Sequence, residues 1–287
     1  MTASPAVQTF GVIGSGQMGS GIGQVAAQSG FRVILVDLKE EFLNRAKTSI
    51  EKSLAKLAEK GKIQKPGEIF GRMRFSTQIK DLASADFVVE AITEEEPVKF
   101  KVFEELDRLC KPEAFLASNT SSIPITRIAG KTKRPEKVIG MHFMNPVPLM
   151  ELVEIIRGLQ TSDETYGLTK SLAERMGKTT VLSKDSAGFI VNRILVPMIN
   201  EAIYALHQGI GTVEDIDKAM KLGTHQPMGP LALADFVGLD TALSILEVFH
   251  ESFGDKFKPC PLLKQYVDAG WLGRKTGRGF YNYSESK

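Results

Sequence analysis

Cysteine is nearly absent from this chain of 287 residues, with Cys110 and Cys260 the only two. They lie far apart and form no Cys-x-x-Cys spacing, which argues against a disulfide framework and a zinc site and suits a reducing compartment. No apolar run approaches the ~18 residues that a membrane helix needs. Residues 1–9 carry neither the basic region nor the apolar core of a secretion signal, so the cytoplasm is the expected location. Charge of one sign is also lacking: 36 Lys plus Arg stand against 34 Asp plus Glu, a net of +2. Nothing therefore drives the whole molecule toward nucleic acid, and any anion site must be a local cluster. Internal repeats and low-complexity segments are missing as well. What is present is 43% hydrophobic and 24% charged, a globular composition with length for about two domains.

The first organised stretch runs from Phe10 to Ser20. A short apolar strand over 10–13 stops at Gly14-Ser-Gly16-Gln17-Met18-Gly19, and a helix over 17–29 follows at once. In such a unit Gly14 permits the turn, Gly16 lets the backbone approach a pyrophosphate, and Gly19 lets helix and strand pack closely. The helix N-terminus, lined by Gln17 and Met18, faces the phosphates with free N–H groups. A second strand over 31–36 ends on Asp37, an acid placed to accept hydrogen bonds from a ribose. Two strands, the glycine turn and that acid together predict a dinucleotide site.

Strand and helix signals then alternate. A helix over 40–60 carries Lys47, Lys52, Lys56 and Lys60 on its polar face, which by itself reads as a solvated face. A polar Pro/Gly segment over 64–72 leads to the next strand. Strands follow at 73–76, 87–92, 114–117, 137–142 and 152–156, with helices over 97–110 and 163–176 and a further apolar run over 179–183. This is the pattern of a doubly wound parallel sheet. Ligands sit beyond the carboxyl ends of its strands, where Asp37, Glu94 and residues 118–122 fall. Ser122 reads as an N-cap for a short helix at 124–129. Beyond residue 187 the pattern is helical only, with about four helices at 189–207, 213–222, 239–253 and 261–269. The expectation is a Rossmann-type α/β domain over 1–186 and an all-helical domain over 187–287. Thr212 begins the second of those helices with capping-box-like spacing to Asp215. One helix face bears Ile194, Leu195, Met198, Ile199, Ile203 and Leu206, more apolar surface than so small a domain covers alone, so a twofold dimer through this domain is expected.

A nicotinamide cofactor carries its own hydride chemistry and leaves the protein to supply a proton acceptor. Of the four histidines, His142 alone closes a sheet strand. A turn centred on Pro148 returns Glu154 opposite it, since the two residues are equidistant from that proline. A carboxylate there would fix the imidazole tautomer of a general base. Ser121 belongs to the polar run that ends the preceding strand. Asn192, one turn into the first helix of the second domain, carries an amide able to reach a substrate.

Gly14-x-Gly16-x-x-Gly19, Ser118-Asn-Thr-Ser-Ser122, His142-Phe-Met-Asn-Pro146, Leu152-Val-Glu154, Gly188-Phe-Ile-Val-Asn-Arg193, Asp215-Ile-Asp-Lys-Ala-Met220 and Met228-Gly-Pro230 together resemble the 3-hydroxyacyl-CoA dehydrogenase family, and its stand-alone bacterial members most. The resemblance spans nearly the whole chain, through Trp271 to Tyr281. It implies reversible oxidation of a short-chain (S)-3-hydroxyacyl-CoA such as 3-hydroxybutyryl-CoA to the 3-oxoacyl-CoA, with His142 as base, Glu154 as its partner, and Ser121 and Asn192 holding the substrate oxygen. It places Asp37 at the adenosine ribose, and Glu94, Lys99, Ser118 and Asn145 along the nicotinamide half. It turns Lys56 and Lys60, with Ser53 beside them, into a clamp for the phosphorylated end of CoA. It also implies a homodimer through the helical domain. Met144 and Glu151 depart from the residues common in the family, Phe and Lys, next to the acyl pocket. NAD is the expected cofactor because Asp37 repels a 2′-phosphate, while the nearby Lys39 leaves NADP open. No metal is expected. Two alternatives stand beside this reading: a related dehydrogenase of a non-CoA hydroxy or sugar acid, and a non-catalytic, crystallin-like structural protein.

Overall fold

The computed structural model describes residues 7–284. The chain divides into two compact units, one ending at Ser186 and the other starting at Ala187.

The first unit is built on an eight-stranded sheet. Its elements are β1 (Thr9–Ile13), α1 (Gln17–Gln28), β2 (Arg32–Val36), α2 (Glu40–Glu59), α3 (Pro66–Gly71), β3 (Met73–Ser76), β4 (Phe87–Glu90), α4 (Glu96–Leu109), β5 (Phe115–Ser118), α5 (Ile125–Ala129), β6 (Val138–Phe143), β7 (Leu152–Arg157), α6 (Asp163–Arg175) and β8 (Thr179–Lys184). The strand order is β3-β2-β1-β4-β5-β6-β7-β8. Pairing is parallel from β3 through β6, β7 runs antiparallel to β6, and β8 is parallel to β7. The sheet is Rossmann-like, and its central strands are buried on both faces, as near-continuous apolar runs require. Phe10 anchors the core between Phe31 and Phe87, with ring centroids 5.9 and 5.5 Å away.

Within the polar Pro/Gly segment over 64–72, Pro66 opens the short helix α3 at its first position, where the missing N–H costs nothing. One local expectation fails here. Ser122 does not cap α5. The Asp185 carboxylate does so from sixty residues downstream, accepting from the backbone N–H groups of Ile125 (2.8 Å) and Thr126 (2.7 Å), while Ser122 turns to Glu94.

The second unit holds α7 (Val191–His207), α8 (Val213–Gly223), α9 (Pro230–Val237), α10 (Leu239–Phe253) and α11 (Pro261–Asp268). Its described residues thus form five α-helices where about four were expected; α9 was hidden because Gly229-Pro230 reads as a break, yet the proline stands at its first turn. The buried Asp217 carboxylate accepts from Leu231 and Ala232, closing the N-terminus of α9. Asp235, also buried, accepts from the backbone of Phe280 and Tyr281 and so holds the closing segment to that helix. Thr212 caps α8 by accepting from Asp215 N at 3.1 Å, and its hydroxyl donates to the Asp215 carboxylate, so only half of a capping box forms. Asn192 is the second residue of α7, within its first turn and not a turn further in. On that helix Ile199 and Ile203 are buried, whereas Ile194 is 68% exposed. Among the described residues no helix is long and apolar enough to cross a membrane.

Candidate active site

The glycine turn assigns a different physical task to each glycine. Gly14 has φ +97°, a left-handed conformation that side chains resist, and a Cβ there would press on the Ala91 backbone. At Gly19 a Cβ would run into the Gly14 carbonyl. At Gly16, the N-cap of α1, a Cβ would meet nothing within 4 Å. The protein itself gives no reason for glycine at that position, whereas a diphosphate lying on the helix N-terminus would. Asp37 closes the turn: Oδ2 accepts from Ser15 N (2.6 Å) and Ser15 Oγ (2.7 Å), and Oδ1 from Leu38 N (2.7 Å). Two carboxylate oxygens offer about four acceptor positions, so capacity for a ribose hydroxyl remains. Ser15 is a contributor that sequence reasoning missed, because it occupies an unspecified position of the glycine pattern.

Gly14, Ser15, Gly16, Asp37 and Leu38 line an open cavity of about 1440 Å³ in the first unit, shared with Gln17, Met18 and Asn145. Its volume exceeds the ~300–1,000 Å³ of a site for a drug-sized ligand and suits a dinucleotide. Another part of the lining comes from α2 and the turn that follows it, where Ser53, Lys56 and Lys60 are joined by Lys52 and Lys62. Lys62 was not foreseen. Gly61 at φ +66° turns the chain so that Lys62 N bonds back to Leu57 O at 2.9 Å, and this brings its side chain round to the same wall. Lys47 leaves the group and pairs with Glu40.

At the carboxyl edge of the sheet, antiparallel pairing sets His142 directly opposite Glu154. His142 Nδ1 lies 2.7 Å from Glu154 Oε2, and Nε2 lies 3.0 Å from Ser121 Oγ. Both members of the histidine–carboxylate pair are buried. An ionised carboxylate can only accept, so in the neutral imidazole the proton sits on Nδ1, facing Glu154, and Nε2 is the acceptor. Ser121, His142 and Glu154 therefore form one hydrogen-bonded line.

A second network lies behind it. Glu90, the last residue of β4, is wholly buried in an apolar strand, and its carboxylate accepts from Lys99 Nζ (2.6 Å), Ser118 Oγ (2.6 Å) and Ile92 N (2.7 Å). Lys99 is equally buried and reaches Glu94 Oε2 at 3.2 Å. Glu94 Oε1 gathers Thr120 Oγ1 (2.5 Å), Ser121 N (2.7 Å) and the N–H and hydroxyl of Ser122 (3.1 Å each). Burial pulls the Glu94 carboxyl upward, but the Lys99 charge and the hydrogen bonds from Thr120 and Ser121 outweigh it and hold the group below its ordinary value of 4.5. Lys99 and Ser118 thus sit behind the site with their polar atoms engaged, and of the residues expected at the nicotinamide half Asn145 lines the cavity. Glu90 escaped notice because one acid inside an apolar run reads simply as strand. Among the described residues no group of three or more His, Cys, Asp or Glu side chains is placed to hold a metal.

A doubly wound sheet whose first turn is a three-glycine loop closed by an acid is the architecture of a dinucleotide-binding domain. Residues 9–186 match the 3-hydroxyacyl-CoA dehydrogenase NAD binding domain, and residues 188–283 the C-terminal domain of the same family. The chain belongs to the 3-hydroxyacyl-CoA dehydrogenase family. It is 58% identical over 276 residues to the "Probable 3-hydroxybutyryl-CoA dehydrogenase" of Deinococcus radiodurans, covering 96% of this chain and 99% of that one. It is 54% identical to the 3-hydroxybutyryl-CoA dehydrogenase of Bradyrhizobium diazoefficiens, over 98% and 97% of the two chains. The crystal structure of (S)-3-hydroxybutyryl-CoA dehydrogenase from Ralstonia eutropha superposes with a TM-score of 0.94 at 45% identity, over 98% of this chain and all of that one.

Proposed function

We propose that the protein catalyses the reversible NAD-dependent oxidation of a short-chain (S)-3-hydroxyacyl-CoA, 3-hydroxybutyryl-CoA in particular, to the 3-oxoacyl-CoA. The observation that carries this reading is the Ser121–His142–Glu154 line at the sheet edge, in the same unit as the glycine turn. The turn from Gly14 to Gly19 and Asp37 would hold NAD, which when bound would supply the hydride acceptor that oxidation at C3 requires. His142 Nε2 takes the proton of the C3 hydroxyl, and Glu154 stabilises the imidazolium that results. Ser121 donates to the substrate oxygen. Glu94 fixes Ser121 through its backbone N–H, Lys99 and Ser118 hold the wall behind the nicotinamide, and Asn145 borders the cavity. The Lys56–Lys60 wall, with Ser53, receives the phosphorylated end of CoA.

Exposed Ile194, Ile210 and Leu222 in the helical unit support a homodimer through that unit, which sedimentation would test. The cytoplasm is the proposed compartment. The activity is tested by following NADH or NADPH consumption with acetoacetyl-CoA and with free acetoacetate. NADH turnover with the thioester alone is the expected result. Equal turnover of the free acid would favour a non-CoA dehydrogenase, and no turnover at all would favour a structural protein.

A further inference from the structure

The loop that joins β6 to β7 forms one wall of the cavity through Asn145, Pro146, Val147, Pro148 and Leu149. Its two prolines have no N–H to donate, and Leu149 N and Met150 N both turn inward to Pro146 O at 3.0 Å. Donors for the loop's own carbonyls must come from elsewhere. Lys178, a buried residue at the entry to β8, supplies them: its ammonium donates to Val147 O at 2.6 Å and to Met150 O at 2.7 Å. The backbone beneath it is fixed on both sides, because Lys178 N bonds to Ala173 O at the end of α6 and Thr179 N to Glu151 O at the start of β7. Burial pulls the Lys178 ammonium below the ordinary lysine range, against an opposing pull from Glu151. A cost of that kind is borne by a group whose donors have nowhere else to go. The loop in turn leans on the glycine-turn helix, where a Cβ on Gly21 of α1 would stand 2.8 Å from Val147 Cβ. Displacing Val147 therefore disturbs both Asn145 and the helix whose N-terminus faces the cavity.

We propose that Lys178 is a positioning residue for the cofactor: its ammonium clamps two carbonyls of the Pro-rich loop and so holds the Asn145 side of the cavity in its binding shape. The assignment rests on the dehydrogenase reading above and goes beyond it, since Lys178 acts through the loop and is not itself among the residues that line the cavity. Without the clamp the loop samples other conformations, and apparent affinity falls by the fraction of time it spends in the competent one.

The test is an NADH fluorescence titration without acyl substrate on the wild type, Lys178→Met and Lys178→Arg, paired with amide exchange at Leu149 and Met150. Lys178→Met is expected to raise the NADH Kd about tenfold, the result of a loop competent roughly a tenth of the time. It should speed exchange at the two loop amides while kcat at saturating NADH changes little, the pattern of lost uniform binding. Lys178→Arg, whose donors still reach carbonyls, should recover most of the affinity. A purely structural lysine would lower the melting temperature and leave the Kd, measured well below it, untouched. A folded Lys178→Met protein with wild-type NADH affinity overturns the proposal. Should that variant fail to fold, Lys178→Gln, which keeps a donor for one carbonyl, takes its place under the same criterion. Wild-type protein that binds no NADH would instead defeat the dehydrogenase reading beneath it.

Discussion

His142 and Glu154 face each other across the one antiparallel junction in the described sheet, with Nδ1 and Oε2 2.7 Å apart. Between parallel neighbours a partner for a residue at a strand's carboxyl end would have to come from the carboxyl end of another strand, reached through a crossover. Here the reversal brings the early part of β7 to the same edge. Replacing His142 by Gln should lower kcat by ~10²-fold or more, the usual scale for a general base, and leave the NADH Kd nearly unchanged. Glu154→Gln should also lower kcat, by less, because the amide keeps a hydrogen bond but no charge. Steady-state kinetics of both variants check this, and wild-type kcat in His142→Gln would exclude that residue as the base.

Asp37 has its carboxylate locked on Ser15, so its direction is set before any ligand arrives. Asp37→Ala should weaken NAD and narrow the preference over NADP, since ribose hydrogen bonds and repulsion of a 2′-phosphate are lost together. The measurement is the NAD to NADP ratio of kcat/KM. An unmoved ratio places Asp37 away from the ribose.

The lysine wall of α2 is exposed, which limits its worth to roughly 1 kcal/mol or less after screening. A Lys56→Ala/Lys60→Ala variant should therefore raise KM for acetoacetyl-CoA several-fold, more at low salt, with kcat little changed. Acetoacetyl-pantetheine lacks the nucleotide and should not sense the change. Equal effects on both substrates would return these lysines to a solvated helix face.

Glu94 gives a pH dependence whose sign follows from its depressed carboxyl. A group whose folded value lies below its ordinary one contributes stability in full above that ordinary value, here 4.5, and loses it as pH falls through the folded value. Urea unfolding of wild type and Glu94→Gln should show wild type the more stable at neutral pH, with the gap closing below about pH 4.5. A gap that stays constant would mean that the charge on Glu94 does not stabilise the fold.

Much of the architecture was legible because it repeats simple signals. Apolar runs of strand length alternated with helical periodicity as far as Arg175, and symmetry about Pro148 already paired His142 with Glu154. What escaped notice depends on contacts that span long stretches of sequence or on punctuation that cuts both ways. Asp185 caps a helix sixty residues earlier, and no local pattern announces that. Gly229-Pro230 looks like a stop and is a start. Glu90, Lys62 and Lys178 are single charged residues in an apolar strand, after a glycine turn and at a strand entry, and only the folded chain reveals what each of them reaches.

The three glycines of the first turn are separable by the reason each is glycine. Gly14 and Gly19 answer to the chain's own atoms, so larger residues there should damage folding whether or not a cofactor is present. Gly16 answers to no atom of the protein, and its φ of −62° is open to any residue. Gly16→Ala should accordingly melt at the wild-type temperature without NADH, yet lose the further rise that NADH confers on the wild type through binding the native state. Such a protein would be a folded, ligand-blind twin of the enzyme, a reference against which every cofactor-dependent property of the wild type could be measured.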